Sequence, residues 1–546
     1  MPDIPKIDIR PDHWDIVRDI LQKHVPHYAV WAFGSRAKWT AKQYSDLDLA
    51  IITDKPLSLD TSASLADDFS ESDLPWKVDI VDWASTSESF KEVIERDKVV
   101  VQIPRRGRVM TFNDPVVRLG DYVEACLGKM LDAHKNRGTF QPYLGNSNVR
   151  WGTFDIQDLA VMRFEQQEEE RYGLRDGDLV VCEGGEPGRC AIWHSEVPNM
   201  KIQKALHRIR VKDGLDNYFL YYWFLHAGKT GALEPYFTGT TIKHLTGRAL
   251  AELKIPLPPI ERQRGLAKVL RSLDDKIDLN HRINQTLEAM AQAIFKSWFV
   301  DFDPVKAKIA AIEQGQDPLR AAMCAISGKT DAELDQMPRE HHHQLAATAA
   351  LFPDAMEESE LEEVPKGWNI SKIETLMSRL SAKTRYTKGQ VSEYGQIPVF
   401  EQGASILLGY HNRDAYYQAS SENPIFIFGD HTCVTRLSCQ PFDISQNVIP
   451  LKGKNRATAW IYYAVKEKQN FQEYRRHWME LISKDVVVAA ADICLDFSKK
   501  ITNIHLQIEE NERQMQSLRE LRDSLLPKLL SGELRVLDIE HIAEEV

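Results

Sequence analysis

The chain has 546 residues, 43% hydrophobic and 27% charged, with a formal net charge of −12 at pH 7, a composition that fits several packed domains and excludes a disordered or fibrous chain. No run approaches the roughly eighteen apolar residues of a membrane helix, and the opening MPDIPKIDIRPDHWD is acidic where a secretory leader is basic and then apolar, so a cytoplasmic protein without membrane contact is expected. The seven cysteines show no paired C-x-x-C spacing, which argues for reduced packing thiols rather than a disulfide framework or a zinc site.

Near the N-terminus, Ala29-Val-Trp-Ala-Phe33 reads as a buried strand, Gly34-Ser35-Arg36 as a tight turn, and residues 45–52 (SDLDLAII) as a second strand whose period of two puts Asp46 and Asp48 on one face. Residues 76–83 (WKVDIVDW) give a third strand with Asp79 and Asp82 on opposite faces. Two carboxylates two residues apart, joined by Asp79 from an adjacent strand, form a hard, oxygen-rich cup suited to Mg²⁺ carrying a nucleoside triphosphate, and the Gly-Ser turn offers N–H groups to phosphate. Such a cup supports in-line attack on the α-phosphate. Acidic strand ends beside a glycine turn are also common on surfaces, so the D-x-D pair gains meaning only with the turn and the third strand.

A basic link, Arg105-Arg-Gly-Arg108, leads into a first block. Its polar stretches 127–138 (LGKMLDAHKNRG) and 143–150 (YLGNSNVR) are rich in side chains that reach phosphates and base edges, Arg reading guanine and Asn reading adenine. Lys129, Lys135, Arg137, Asn146, Asn148 and Arg150 are the candidates there. The glycines of 184–189 (GGEPGR) lack the strand-loop-helix context of a phosphate loop and read as turn formers. Prolines 256, 258 and 259 then bar a helix. Beyond them, Leu266, Leu270, Leu273 and Ile277, and again Ile283, Leu287, Met290 and Ile294, give a narrow apolar seam that needs a partner helix. Residues 305–363 are Ala-rich and acidic and read as short helices plus linker, with His341 to His343 in a solvated loop. A second block carries Arg379, Lys383, Arg385, Tyr386, Lys388, Tyr410, Asn412 and Arg413, basic residues interleaved with Tyr and Asn as groove reading requires. Near the end, Ile501, Ile504, Ile508, Asn511, Met515, Leu518, Arg522 and Leu525 form a second seam in which one Asn sets register. Two such helices of about 35 residues are about 50 Å long. The chain's acid is concentrated in residues 1–104, 305–363 and 531–546, which leaves the two blocks with their helices, taken together, mildly basic, as local DNA contact would need.

GTTIKHLTGRALAELKIPLPPIERQ (239–263), NQTLEAMAQAIFKSWFVDFDP (284–304), VPKGW (364–368), IPVFEQGASILLGYHN (397–412) and RDSLLPKLLSGELRV (522–536) occur in that order. Over about residues 115–536 the chain thereby resembles the DNA specificity subunit of type I restriction-modification enzymes. The resemblance implies an α+β, multidomain architecture with two α/β target recognition domains, 105–259 and 364–497, separated by two long antiparallel coiled-coil helices. The central helix is expected at 260–304 and the distal one at 498–536, with an acidic linker at 305–363 and an acidic tail at 537–546. It also implies a non-catalytic, cofactor-free subunit that binds double-stranded DNA and carries methyltransferase subunits and, in the full complex, restriction subunits. No Asn-Pro-Pro-Tyr or Asp-Pro-Pro-Tyr methyltransferase motif is present, so methylation comes from a partner. Thr240, Thr241 and Lys243 fall where recognition domains of this family close on the groove. The second block ends in VVVAAADICLDF (486–497) where the first has IPLPPIERQ, which leaves that junction open.

Gly34-Ser35, the x₁₀ spacing to Asp46-x-Asp48, and Asp79 are similar to a minimal nucleotidyltransferase of the polymerase-β superfamily, which includes antitoxins that modify partner toxins. The similarity spans about residues 30–83 and implies an α/β domain over 1–104 that takes Mg and a nucleotide triphosphate. Gly34, Ser35 and Arg36 would hold the nucleotide, Asp46 and Asp48 the metal, and Asp79 would be the third carboxylate and possible base. Two functions follow: a specificity subunit that reads a bipartite site, or alternatively a nucleotidyltransferase, acting on a protein or nucleic-acid acceptor, that is targeted by DNA-binding domains.

Overall fold

Alternation of apolar residues over two short strands organises the N-terminal unit, Met1–Val117 with Pro256–Pro258 and Lys528–Val546. The computed structural model describes all residues except 1–4, 26–27, 43, 54–55, 58, 87, 103–113, 131, 133–135, 240–242, 360–362, 382, 404 and 535–546. Helix α1 (Pro11–His24) opens on a proline, with Asp12 in its first turn and Lys23 and His24 in its last, the charges its dipole favours. It buries Trp14, Val17 and Leu21. Strands β1 (Ala29–Phe33), β2 (Leu47–Ile52), β3 (Val78–Asp82) and β4 (Val99–Gln102) form one sheet in the order β3-β2-β1-β4. β1 is antiparallel to β2 and β4, whereas β2 and β3 are parallel and joined through helix α2 (Leu59–Ser70). Leu47, Leu49 and Ile51 pack with Val78 and Ile80 among Trp14, Leu21, Leu65 and Phe69. Phe33, Ala50 and Val81 point the other way and pack with Ile94 of helix α3 (Glu88–Asp97). β3 is therefore an edge strand between two covered faces.

In the second unit, Arg118–Ile255 with Pro259–Pro527, one architecture occurs twice. The first block has an antiparallel sheet of Val123–Leu127, Leu206–Val211, Leu179–Cys182 and Cys190–Ile192, in that spatial order. The second has Met377–Arg379, Val448–Gly453, Ile425–Gly429 and Thr435–Ser438 in the same order. Each block adds a three-stranded sheet with one antiparallel and one parallel pairing, around Thr139–Leu144 in the first and Ile397–Phe400 in the second. Each then adds a helix, Asn217–Thr230 or Thr458–Val465. A main-chain bond closes each block near its ends: Leu119 N–H donates to Leu253 C=O, and Ile373 N–H to Lys484 C=O, both at 2.9 Å.

The junction left open in the sequence takes a simple form. Asp485–Val488 is a strand paired antiparallel with Asn369–Lys372, and after a two-residue link the distal helix runs Ala491–Ser531, earlier than the seam alone suggests. The central helix runs Ile260–Phe299 directly from Pro259. The pairings Asp274 with Arg522, Asn280 with Gln514 and Asn511 with Asn284 make the two helices antiparallel. On the distal helix Ile501, Ile508, Asn511 and Met515 are buried, and Ile504, Leu518, Arg522 and Leu525 half-buried, at the expected positions. The central seam differs. From Leu270 it continues through Leu273, Ile277, Asn280, Asn284, Leu287, Ala291, Ile294 and Trp298 in unbroken steps of three and four, while Ile283 and Met290 are exposed at 38% and 51%. A hydrophobicity count skips the two asparagines and is drawn to the neighbouring Ile and Met. Asn280 and Asn284 belong in the seam because Gln514, Asn511 and the Ile508 carbonyl bond their amides.

Between the helices, Asp303–Glu313, Pro318–Ser327, Asp331–Asp335 and Arg339–Ala350 are helical, with a small core of Ala322, Met323, Leu334 and Ala349. His341 to His343 lie on the last of these helices, not in a loop. Trp298, Phe299, Phe302, Phe352 and Trp368 tie this region to the second block in one aromatic core. No helix among the described residues is long and apolar enough to cross a membrane.

Candidate functional site

The turn after β1 is shaped by Gly34. Its φ of +76° favours glycine, and a Cβ there would lie 2.1 Å from Asp48 Oδ2. Phe33 pairs across β2 with Asp48, and Asp48 pairs across β3 with Asp79, so the two carboxylates occupy adjacent positions on one sheet face. Burial pushes the Asp48 carboxyl up, and the charges of Asp79 and then Asp46 push it further. Asp46 is exposed just before β2. Lys77 Nζ lies 2.5 Å from Asp79 Oδ1 and partly neutralises the pair. Asp82 faces away, accepting from Thr53 Oγ1 at 2.5 Å and Leu57 N–H at 2.6 Å. Among the described residues, no three His, Cys, Asp or Glu side chains are gathered closely enough to hold a metal ion unaided. The donor chemistry nonetheless fits a hard cation: the charges of two carboxylates, Asp79 and Asp46, bear on Asp48, and a cation would relieve that repulsion.

Ser35 is half-buried in the single helical turn Gly34–Ala37, and its carbonyl accepts from Thr40 N–H at 3.0 Å. Arg36 has a different place from the one its position in the turn suggests. It is 5% exposed, donates to the Ser45 and Asp8 carbonyls at 2.9 and 2.8 Å, and stacks on Trp76 at 4.2 Å. With those donors engaged, it braces the turn against the segment entering β2.

The DNA candidates separate into free and engaged side chains. Lys129 is 4% exposed and donates to the Arg163 carbonyl at 3.0 Å and to Glu168 at 2.5 Å, so it is an internal tie. Asn148 accepts from Gly145 N–H and donates to the Asp155 carbonyl, both at 2.9 Å, which closes its own turn. Asn146 keeps a buried side-chain oxygen without a partner among the described residues. Arg137 and Arg150 are exposed, Arg150 bonding the carbonyls of Ser147 and Val149. Lys243 is exposed 3.4 Å from Glu234. Lys135, Thr240 and Thr241 lie outside the described residues.

In the second block, Arg379, Lys383, Lys388, Asn412 and Arg413 are exposed. Arg385 donates to the Ser445 carbonyl at 2.9 Å, and Tyr386 is buried against His411 with rings 4.6 Å apart, both internal. Arg379 and Arg385 line a cleft of about 600 Å³ with Asp430, Asn447, Arg476 and Met479. Tyr410 and Asn412 line a different cavity, of about 900 Å³, against the distal helix.

Arg476 and Tyr474 escaped a reading made one block at a time. Tyr474 is 73% exposed with its ring 4.7 Å from His431, and the Arg476 side chain is solvated near Asp430. A block-to-block alignment exposes them: Leu245 N–H donates to Glu183 C=O at 2.7 Å in the first block, and His477 N–H to Asp430 C=O at 2.8 Å in the second. The segment around Tyr474 is thus the counterpart of the one that carries Lys243.

Comparison with known proteins agrees with this division. Residues 115–289 match the type I restriction modification DNA specificity domain, and residues 16–105 match polymerase beta, nucleotidyltransferase. The type I restriction enzyme HindI specificity subunit of Haemophilus influenzae is 30% identical over 331 residues, 54% of this chain and 72% of that protein. The type I restriction enzyme MjaIX specificity subunit of Methanocaldococcus jannaschii is 24% identical over 365 residues, 62% of this chain and 74% of that protein. The probable protein adenylyltransferase MntA of Haemophilus influenzae is 54% identical over 102 residues, 19% of this chain and 90% of that protein. The chain therefore belongs to the type I restriction enzyme specificity subunits and carries at its N-terminus a nucleotidyltransferase domain of the MntA family.

Proposed function

We propose that the two blocks read the two halves of a bipartite double-stranded DNA target and that the paired helices set the distance between them. The observation that carries this is the duplication: two blocks of the same strand order, each closed by the same main-chain bond and each leading into a long helix. A fixed separator between duplicate readers suits a target of two half-sites at fixed spacing. Docking of methyltransferase subunits, and of restriction subunits in the full complex, belongs to this reading. Exposed Arg137, Arg150, Lys243, Arg379, Lys383, Lys388, Asn412 and Arg413 are the proposed DNA contacts, with Thr240 and Thr241 beside Lys243. The test is a methylation map of cells that co-express the chain with a cognate methyltransferase subunit, with and without residues 1–104. A bipartite methylated motif in both cases supports the reading, and no motif with either form overturns it.

For the N-terminal domain we propose transfer of a nucleotide from a triphosphate to an acceptor, supported by the juxtaposition of Gly34, Asp48 and Asp79. Asp46, Asp48 and Asp79 would hold a divalent cation, Mg²⁺ by their oxygen-only donor set, and when bound it neutralises charge at the entering and leaving oxygens. Gly34 and Ser35 would hold phosphate through main-chain N–H groups, and Asp79 would take the acceptor's proton. Asp48→Asn should abolish labelling by α-labelled nucleotide and leave the methylation motif intact. Loss of the motif in that variant would refute the separation of the two activities.

A further inference from the structure

The second block holds out aromatic side chains where the first does not. Between the helix Thr458–Val465 and the short helix Trp478–Ser483, residues 466–477 form a loop on which Phe471 is 55% and Tyr474 73% exposed, and Met479 just beyond it is 70% exposed. In the equivalent segment of the first block, Tyr236 and Phe237 are half-buried. The loop of the second block is braced from within. His477 is fully buried: its Nε2 donates to the Glu473 carbonyl at 3.0 Å, its Nδ1 accepts from the Gln469 amide at 3.2 Å, and its main-chain N–H donates to the Asp430 carbonyl at 2.8 Å. The Gln469 amide also donates to Glu480 at 2.8 Å, and Arg475 pairs with Glu473 and Glu480. The loop is thus folded around its own polar groups, and the exposed rings stand on a fixed base. Tyr474 leans on His431, with ring centres 4.7 Å apart, and two residues later the Arg476 side chain is 80% exposed. Arg476 lines the cleft of about 600 Å³ with Arg379 and Arg385, three guanidinium groups against the carboxylate of Asp430. A bare aromatic ring on the lip of a cationic cleft suits a polyanion whose bases stack.

We propose that Tyr474 is a wedge, whose ring enters one base step of the half-site read by the second block, partly unstacks it and kinks the duplex there. The inference rests on the DNA-reading proposal and adds to it a specificity-determining residue that needs no hydrogen bond to a base edge. The arginines of the cleft hold the duplex on one side of the ring, and the braced loop keeps the ring from folding back. A tyrosine has only two side-chain torsions to fix, so little freedom is lost on insertion. Unstacking costs least at pyrimidine–purine steps, so a wedge favours TA or CA/TG at its point of entry through deformability alone. Because the first block keeps the aromatic residues of its segment half-buried, the distortion belongs to one half of the target.

The test uses the full chain with its cognate methyltransferase subunits and a duplex carrying the motif that the methylation map returns. 2-Aminopurine replaces each adenine in turn, on either strand, apart from the adenine that is methylated; its fluorescence rises when it loses a stacked neighbour. In the wild type, one step in one half-site should brighten about threefold on binding. Tyr474→Ala should return it to the level of the free duplex and raise the DNA Kd about tenfold, whereas Tyr474→Phe should keep both the signal and the affinity. A mismatch at the same step, already poorly stacked, should tighten binding about fivefold for the wild type and not for Tyr474→Ala. No brightened step, or one that Tyr474→Ala leaves bright, overturns the wedge while the DNA-reading proposal stands. Loss of the methyltransferase subunits from the Tyr474→Ala complex assigns the exposed rings to a protein contact and overturns it as well. A wild-type complex that binds motif and scrambled duplexes alike overturns the DNA-reading proposal and this inference together.

Discussion

Gly34 shows how a short motif encodes geometry. The sequence presents it as one residue of a turn, and both its positive φ and the 2.1 Å approach of Asp48 Oδ2 to a built Cβ follow from that turn closing onto β2. Gly34→Ala should therefore cost about 1–3 kcal/mol of local strain and displace Asp48, seen as lost ATP binding with little change in the DNA-reading unit. The turn and the D-x-D motif were legible as local patterns, whereas the partnership of Asp48 with Asp79 comes from the parallel register of β2 with β3. The fates of Arg36, Lys129 and Asn148 were not legible, since each is consumed by carbonyls or a carboxylate far away in sequence or by its own turn. A second residue-scale expectation concerns His505, 4% exposed and 2.9 Å from the Tyr463 hydroxyl. Burial pushes its imidazole down to about 4, with Glu288 the nearest opposing charge. An unfolded histidine titrates near 6.5, so between these values the unfolded chain binds a proton that the folded one refuses. Stability is whole above about pH 6.5 and falls as pH drops toward 4, by about 3 kcal/mol at the foot of the window. Urea unfolding midpoints against pH should show that slope in the wild type and a flatter one in His505→Gln.

Among the elements, the helix pair was the most legible, and its one misreading is instructive. The distal seam followed from alternating threes and fours, with Asn511 in it. The central seam was misread only at Ile283 and Met290, because two of its true positions are asparagines, whose burial makes sense only once Gln514, Asn511 and the Ile508 carbonyl are opposite them. Leu270→Ala, at a fully buried position of that seam, should cost about 2–5 kcal/mol, read from the denaturant midpoint. Because the amide pairs fix register, a heptad added to one helix alone should mismatch them and destabilise the pair. A heptad added to both moves the blocks apart by about 10.5 Å, close to three base pairs at about 3.4 Å each. The methylated motif should keep its two halves and gain about three spacer positions; an unchanged spacer would defeat the helices' role as separator. Residues 305–363 were harder, since their alanines carry little periodic contrast. What folds them is partly external: Val305 and Phe352 join the hydrophobic core of the second block.

For the molecule as a whole, the lesson lies in the duplication. Strand order cannot be read from one sequence, whereas the block-helix-block-helix rhythm can, and it led to the right family. Setting the blocks side by side, through the equivalent bonds to Glu183 and Asp430, makes Arg476 the second block's partner to the Lys243 region. Arg476→Ala should therefore relax one half of the methylated motif and leave the other intact, with a discrimination loss of about 1–3 kcal/mol at the affected base pair. Lys243→Ala should weaken the opposite half. Relaxation of both halves by either change would contradict a one-block, one-half assignment. The clasps Leu119 to Leu253 and Ile373 to Lys484 carry a further consequence. Each joins the beginning and end of a block through main-chain atoms, beside the Arg118–Glu252 and Lys372–Asp485 ion pairs, so the fastening does not involve the side chains proposed to read DNA. A block held this way behaves as a cartridge: its interior can diverge, or be exchanged for another with the same ends, while the frame that receives it stays as it is.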